Sequence, residues 1–208
     1  MAMQQYHPPT EPWIERVFED EGILVVNKPS GLLSVPGRAE EHYDSMWSRL
    51  KDIYPDIQPV HRLDMSTSGL MLFAKNKPTE SALKKQFQFR LKHKVYYARV
   101  WGHVEQQEGE VDLPLICDWP NRPKQKVCFE QGKPSKTLFE VAKREEQTTI
   151  VRLLPITGRS HQLRVHMQAL GHPIVGDEFY SQGEAFEFSS RLELHAAELS
   201  FYHPQDER

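Results

Sequence analysis

The chain has 208 residues, enough for one domain or two small ones with a buried core. Hydrophobic residues make up 38% and charged residues 26%, and no apolar run approaches the length of a membrane span, which excludes an integral helical membrane protein. The N-terminus has neither the basic start nor the apolar stretch of a signal peptide. Two cysteines, Cys117 and Cys128, suit a reducing compartment, so we expect a cytoplasmic protein without membrane contact.

The charges are unevenly distributed along the chain. The net charge is −3, yet residues 61–103 carry nine Lys or Arg against two acids, and residues 119–136 carry five against one. Such a chain can present a basic surface to phosphates despite its negative total. Charge alone leaves two interpretations equally open, a nucleic-acid interface or helix faces that are simply solvated.

Three amphipathic segments predict helices. They cover residues 44–54, 77–90 and 160–170, with Asp44 and Ser160 as N-caps of the first and third. Pro78 suits the first turn of the second helix.

Runs of β-branched and aromatic residues bounded by Pro and Gly predict six strands. They cover residues 22–31, 69–76, 94–103, 137–145, 148–156 and 192–201. A Pro-rich stretch, residues 112–136, predicts a hairpin-like or loop region, and residues 1–12 predict a flexible arm. Strands outnumber helices, so we expect an α+β fold in one domain, residues 1–208, with an extended, mixed, mainly antiparallel sheet flanked by helices and loops.

The segment HRLDMSTSGL, residues 61–70, holds the first candidate for catalysis. Asp64 is the only acid between Asp56 and Glu80, and Arg62 lies beside it. Because nearby cations favour a charged carboxylate, we expect Asp64 to be ionised at neutral pH and available as a nucleophile or base. The alternative is a turn-forming aspartate bonded to a nearby backbone N–H.

The segment PITGRSHQLRVHM, residues 155–167, is the second candidate. On the predicted helix, Arg164 lies near the start, where backbone N–H groups favour an anion, either a phosphate or a carboxylate. The alternative is an ordinary structural ion pair. His161 and His166 are about 140° apart on a helix, which disfavours a zinc site.

Aromatic residues interleaved with cations form a third pattern. Tyr96 lies amid Lys92, Lys94 and Arg99, which suits stacking on an unstacked base but equally suits a half-buried core position. Trp119 in the basic loop has the same two interpretations. The nucleotide-binding, nucleophile-elbow and zinc motifs GxGxxG, Walker A, GxSxG and HExxH do not occur, so no metal or cofactor is predicted.

Four segments in order carry a family resemblance: HRLDMSTSG, KVYYARVWG, PITGRSHQLRVHM and LELHAAELSF. They resemble the motifs of the RluA family of pseudouridine synthases, over residues 5–203. The resemblance implies an RNA-modifying isomerase that converts uridine to pseudouridine in hairpin loops, in both 23S rRNA and the tRNA anticodon stem-loop, as a monomer without a cofactor.

The resemblance also assigns roles to individual residues. Asp64 would be the essential catalytic aspartate, and Arg164 would pair with it and hold it ionised. Arg62 would enter the RNA stack as the target uridine flips out, and Tyr96 would stack on the flipped base. We also assign RNA contacts to six further polar residues: His61, Arg122, Lys124, Lys126, Arg159 and His161.

Many relatives carry an N-terminal S4-type RNA-binding module, and the position of the HRLD motif leaves no room for one. The basic segments 75–94 and 122–136 are therefore expected to supply RNA affinity. Three alternatives remain: a non-catalytic RNA-binding domain of the same fold with a structural Asp64, an enzyme with a single RNA target, and a carboxylate hydrolase of glycosidic bonds. The hydrolase would need a second carboxylate near Asp64, and none stands out.

Overall fold

The computed structural model describes residues 6–89 and 93–204. The described chain forms two compact units. The terminal unit holds residues 6–89, 93 and 196–204, and the central unit holds residues 94–195.

Strands and α-helices alternate irregularly along the described chain. The terminal unit begins with β1 (Glu15–Glu19), β2 (Ile23–Lys28), α1 (Met46–Lys51), β3 (Gln58–Pro59), β4 (Ser68–Ala74) and α2 (Lys77–Gln88). There follow β5 (His93–Trp101), β6 (Glu108–Asp112), β7 (Leu115–Cys117), β8 (Gln125–Val127), β9 (Lys136–Arg144), β10 (Thr148–Pro155), α3 (Gln162–Ala169), α4 (Glu184–Glu187) and β11 (Leu194–Ser200).

The sheet of the terminal unit has the order β1-β2-β4-β11, and β3 pairs with the end of β4. Residues 23–26 of β2 are all buried, as expected for an apolar run covered on both faces. Val26 lies opposite Met71 of β4 in an antiparallel register. Gly69, the second residue of β4, has a φ of +117°, and a Cβ there would lie 2.3 Å from the Ala196 carbonyl oxygen, so only glycine allows the close approach.

Helix α1 begins one residue later than predicted, and the prediction of Asp44 as its N-cap is wrong. Ser45 caps the helix through a reciprocal capping box with Ser48. Asp44 instead binds Arg49, whose Nε and Nη2 donate to its two carboxylate oxygens at 2.8 Å. Ile53, inside the predicted range of residues 44–54, lies beyond the end of the observed helix and is 47% exposed.

Arg49 also holds the N-terminal segment. Its guanidinium donates to the carbonyls of Pro9 and Trp13, and the Tyr6 hydroxyl donates to the Asp44 carbonyl. The arm expected over residues 1–12 therefore has anchors in its described part, and residues 1–5 lie outside the described chain.

The central unit contains a four-stranded antiparallel sheet in the order β5-β10-β9-β6, together with the two-stranded hairpin β7-β8. Leu115 and Val127 of the hairpin pack against Val165 of α3 and against Tyr180. This apolar contact seats the hairpin on α3.

The start of α3 differs from the prediction of Ser160 as its cap. His161 occupies the N-cap position in a left-handed conformation, φ 53°, without a side-chain cap. Gln162 instead forms hydrogen bonds with the loop before the helix: its Oε1 accepts from the Thr157 hydroxyl and the Arg159 N–H. Its amide nitrogen donates to the Lys136 carbonyl, which ties the loop to β9.

The α+β class with a mainly antiparallel sheet is confirmed. The six strands, the hairpin and the helix with Pro78 in its first turn are confirmed as well. Strands β1 and β6 and the short helix α4 were not predicted, because their sequences are rich in charged residues and Gly. In the described part of the chain, no helix combines the length and apolarity that crossing a bilayer requires.

Candidate active site

Asp64 lies on a loop that leads from β3 into β4. This Asp64 loop, residues 61–67, contains a turn in which the Thr67 N–H donates to the Asp64 carbonyl at 3.1 Å. Arg62 is exposed and Asp64 is half-buried. The loop therefore presents an arginine and a carboxylate at the start of a buried strand, as the sequence predicted.

A buried lysine lies behind the Asp64 loop. Lys28, at the end of β2, is 0% exposed. Its Nζ donates to the carbonyls of Pro29 at 2.9 Å, Leu32 at 2.7 Å and Met65 at 3.0 Å. Three acceptors match the three protons of a charged ammonium group, so each N–H is satisfied. The bond to Met65 ties the lysine to the residue that follows Asp64.

Lys28 also interacts electrostatically with Asp64. Burial lowers the pKa of Lys28 from 10.5 to about 7, because a charged ammonium loses its hydration, and the negative charge of Asp64 opposes this shift. Lys28 was not among the predicted site residues; the signal for it is a lysine two positions after the apolar run ILVV, in NKPSG.

Two more residues of the segment after β2 bind the backbone of the Asp64 loop. The Ser30 hydroxyl donates to the Ser66 carbonyl at 2.7 Å, and the Gly31 N–H donates to the Met65 carbonyl at 2.9 Å. The loop is thus fixed by hydrogen bonds to its main chain, which hold its position whatever its own side chains bind.

His61, predicted to contact RNA, binds the sheet. Its Nε2 accepts from the Leu72 N–H at 3.2 Å, and its ring stacks on Phe87 with centroids 5.2 Å apart. An Nε2 that accepts carries no proton, so the ring in this state holds its hydrogen on Nδ1. These contacts support a structural contribution of His61, and its RNA contact stays a prediction.

Arg164 of α3 forms a buried ion pair within the central unit. Its Nε and Nη2 donate to the two carboxylate oxygens of Asp177 at 2.8 and 2.6 Å, and both side chains are at most 2% exposed. Asp177 also accepts from the Phe179 N–H at 2.9 Å. The alternative stated for Arg164, a structural ion pair, is therefore present. Its partner, Asp177, could not be identified from the charge pattern of the sequence. The predicted pairing of Arg164 with Asp64 stays a prediction.

Tyr96 lies on β5 opposite Leu153 of β10. The residue is 8% exposed, so most of its ring is held by the core. Of the cations expected around it, Arg99 pairs with Glu145 at 3.4 Å, and Lys92 lies outside the described residues.

The two histidines of the second motif have different partners. His161 Nδ1 lies 2.7 Å from the Tyr180 hydroxyl, which also accepts from the Gln125 N–H of the hairpin at 2.8 Å. His166 is fully buried between the Thr137 hydroxyl and the Leu113 carbonyl, and burial lowers the pKa of His166. Within residues 6–89 and 93–204, no cluster of His, Cys, Asp and Glu could hold a metal ion.

The basic hairpin, residues 113–135, carries exposed cations and aromatic rings. The Arg122 guanidinium lies 3.3 Å from the centroid of the Trp119 ring, and Trp119 is 65% exposed. Lys126 forms a surface ion pair with Asp118 at 3.2 Å. Arg159 reaches this hairpin, since its Nε donates to the Pro134 carbonyl at 3.3 Å. Four of the predicted RNA-binding residues, Arg122, Lys124, Lys126 and Arg159, thus lie on or against the hairpin.

The other basic segment, residues 75–94, offers less free charge than its composition suggested. Lys75 binds Glu19 at 3.0 Å, and Lys77 and Lys84 both bind Glu80, at 2.8 and 2.6 Å. Lys126 of the hairpin has a carboxylate partner as well, so ion pairing alone does not rank the two segments; the exposed Arg122–Trp119 stack favours the hairpin as the RNA-binding surface.

Residues 22–169 match the RNA pseudouridylate synthase family, and the chain belongs to that family. It is 80% identical over 210 residues to "Dual-specificity RNA pseudouridine synthase RluA" of Vibrio parahaemolyticus, an alignment covering 99% of this chain and 84% of the relative. It is 58% identical over 205 residues to the protein of the same name in Escherichia coli K12, covering 98% and 94%. The family expected from the motifs is confirmed.

Among solved structures, "Human RNA Pseudouridylate Synthase Domain Containing 1" superimposes with a TM-score of 0.76 at 30% identity, covering 89% of this chain and 77% of that one. A second human protein, "RNA Pseudouridylate Synthase Domain Containing 4", has a TM-score of 0.72 at 24% identity and supports the fold.

Proposed function

We propose that this protein isomerises specific uridines to pseudouridine in hairpin loops of 23S rRNA and of the tRNA anticodon stem-loop. The observation that carries the proposal is the 80% identity, over 99% of the chain, to a relative whose name states dual specificity. The Asp64 loop supports the proposal, because a half-buried carboxylate that interacts with a buried lysine is typical of a catalytic site.

Asp64 is the proposed catalytic residue. The reaction breaks the bond between N1 of uracil and C1′ of ribose, forms a bond between C5 and C1′, releases the proton from C5 and leaves N1 protonated. A carboxylate can act as nucleophile or base in such a reaction. Lys28 interacts electrostatically with Asp64, and Arg164 is proposed to pair with it.

The target base must leave the RNA stack before it can react, which costs a few kcal/mol. Arg62, exposed beside Asp64, is proposed to enter the vacated space. Tyr96 is proposed to stack on the flipped base with the accessible part of its ring. The rest of the ring is held by the core, so little conformational entropy is lost on stacking.

The basic hairpin is the proposed RNA-binding surface. The Arg122 guanidinium, stacked on the Trp119 ring, offers a flat surface on which a base can stack. Lys124, Lys126 and Arg159 can bind phosphates. His61 and His161 complete the proposed RNA-binding set. We further propose that residues 1–208 act as one catalytic domain, as a monomer in the cytoplasm where these RNAs are found, without a metal or cofactor.

Tritium release from RNA containing 5-³H-uridine tests the proposal directly. Wild type and Asp64→Asn would be compared on an anticodon stem-loop and on a 23S rRNA hairpin, with RNA binding measured in parallel. We expect the wild type to release tritium from both RNAs, and Asp64→Asn to bind both without turnover.

Each contrary result has a distinct meaning. Tritium release from one RNA only would indicate an enzyme with a single target. RNA binding without tritium release by wild type would indicate a non-catalytic RNA-binding protein. Turnover by Asp64→Asn at the wild-type rate would remove Asp64 from the chemistry. Activity that EDTA abolishes and zinc restores would contradict the proposed absence of a metal.

A further inference from the structure

We propose that Ser34 is a positioning residue, which sets the Asp64 loop in its active geometry through the backbone of Leu63. This inference rests on the proposed function, since it concerns the loop that carries Asp64. Ser34 lies six residues beyond the end of β2.

A single hydroxyl satisfies both backbone groups of Leu63. Ser34 Oγ donates to the Leu63 carbonyl at 2.6 Å and accepts from the Leu63 N–H at 3.0 Å. Leu63 is the residue between Arg62 and Asp64, so these two bonds fix the main chain on which both functional side chains are mounted.

The Ser34 hydroxyl is buried, and no bulk water can replace it. Ser34 is 4% exposed and Leu63 is 8% exposed. Removing the hydroxyl leaves a buried N–H and a buried carbonyl without their partner, and the backbone must shift to recover hydrogen bonds. A displacement of about 1 Å at a reacting group can cost about 100-fold in rate, so a small shift of Leu63 suffices to reduce turnover.

Ser34 differs in this respect from the other buried serines of the terminal unit. Ser48 is buried to a similar extent, 5% exposed, and its hydroxyl also both donates and accepts, but its partner is Ser45 at the start of α1. Ser48→Ala therefore removes a buried hydroxyl of the same kind without touching the Asp64 loop. Ser48→Ala is thus a matched control for the loss of stability that follows removal of a buried serine hydroxyl.

The experiment compares Ser34→Ala, Ser48→Ala, Asp64→Asn and wild type. Urea unfolding gives stability, RNA titration gives the dissociation constant, and single-turnover tritium release at saturating enzyme gives the rate of the chemical step. We expect Ser34→Ala to lose at least about tenfold in this rate beyond Ser48→Ala, with an RNA dissociation constant within about twofold of wild type.

Equal rates in Ser34→Ala and Ser48→Ala would overturn the inference, since the hydroxyl would then contribute to stability alone. Wild-type turnover in Asp64→Asn would instead overturn the proposed function, whatever Ser34→Ala does. If Ser34→Ala does not fold, Ser30→Ala takes its place, because the Ser30 hydroxyl makes one bond to the loop, at the Ser66 carbonyl. A lowered single-turnover rate in that variant supports positioning of the loop from this segment, and an unchanged rate contradicts it.

Discussion

The Asp64 loop and the basic hairpin both depend on cations, but they use them in opposite ways. Lys28 is 0% exposed, and three carbonyl acceptors occupy its ammonium group. On the hairpin, Arg122 is exposed and stacked on an exposed Trp119, and Lys126 is 55% exposed. A buried cation with every proton bonded holds structure in place, whereas an exposed one remains available to a phosphate or a base.

This contrast implies a division between catalysis and affinity. Changes to the buried residues behind the Asp64 loop, Lys28 and Ser34, should lower the rate of the chemical step with little change in RNA affinity. Changes on the hairpin should weaken RNA binding and alter its salt dependence, with little change in the rate at saturation.

Lys28→Met should have the largest effect. It keeps the side-chain volume but leaves the carbonyls of Pro29, Leu32 and Met65 without a donor, and it removes the charge beside Asp64. We expect a loss of about 100-fold or more in single-turnover rate, with RNA affinity close to wild type. Lys143→Met, at a 65% exposed lysine, is the control and should keep the wild-type rate. Weakened RNA binding at an unchanged rate would contradict the division.

Charge reversal on the hairpin should mainly affect affinity. Lys124→Glu with Lys126→Glu should weaken RNA binding about tenfold or more, and reduce the slope of log K against log salt by about 1 to 2. The control is a double reversal off the hairpin, Lys51→Glu with Lys143→Glu, which matches its change in net charge. An equal change of slope in the control would show that the hairpin has no special part in binding.

Lys28 should also make stability depend on pH. The lysine has a pKa of 10.5 in the unfolded chain and about 7 in the fold, so between these values the unfolded state binds more protons. The free energy of unfolding from this group therefore rises with pH from about 7 to about 10.5, by at most about 1.4 kcal/mol per pH unit.

Urea unfolding of wild type and Lys28→Met at pH 7, 8 and 9 measures this contribution. The difference in stability between the two proteins should change steadily over that range in favour of wild type. Parallel pH profiles would show that Lys28 keeps the same protonation state in the folded and unfolded chains.

Tyr180→Phe should have the smallest effect. It removes the hydroxyl that accepts from the Gln125 N–H and lies 2.7 Å from His161 Nδ1, while the ring can remain packed on Leu115 and Val165. A lost hydrogen bond of about 1 kcal/mol corresponds to about fivefold, so amide exchange at Gln125 should accelerate by that factor. Tyr43→Phe, at a 60% exposed tyrosine, is the control. Unchanged exchange at Gln125 would show that apolar packing alone anchors the hairpin.

Local patterns predicted much of the fold. Alternation and β-branched runs located β2, β4, β5, β9, β10 and β11, and Pro78 marked the start of α2. The caps of α1 and α3 were wrong because Asp44 pairs with Arg49 and because Gln162, inside the helix, satisfies the loop before it. These partners lie within five residues along the chain, but the residue preferences for helix caps do not specify them.

For the candidate site, the motifs in the sequence were enough to predict the family and to place Asp64 on a turn before a buried strand. The fold fixed which groups bind each region: Lys28 and Ser34 bind the Asp64 loop in the terminal unit, while in the central unit Asp177 binds Arg164 and Tyr180 binds the hairpin. These partners are between 13 and 55 residues apart in the chain, except for the Lys28 bonds to its own segment. Burial and hydrogen bonding at such separations arise only when strands pair and helices pack, so no local pattern of residues encodes them.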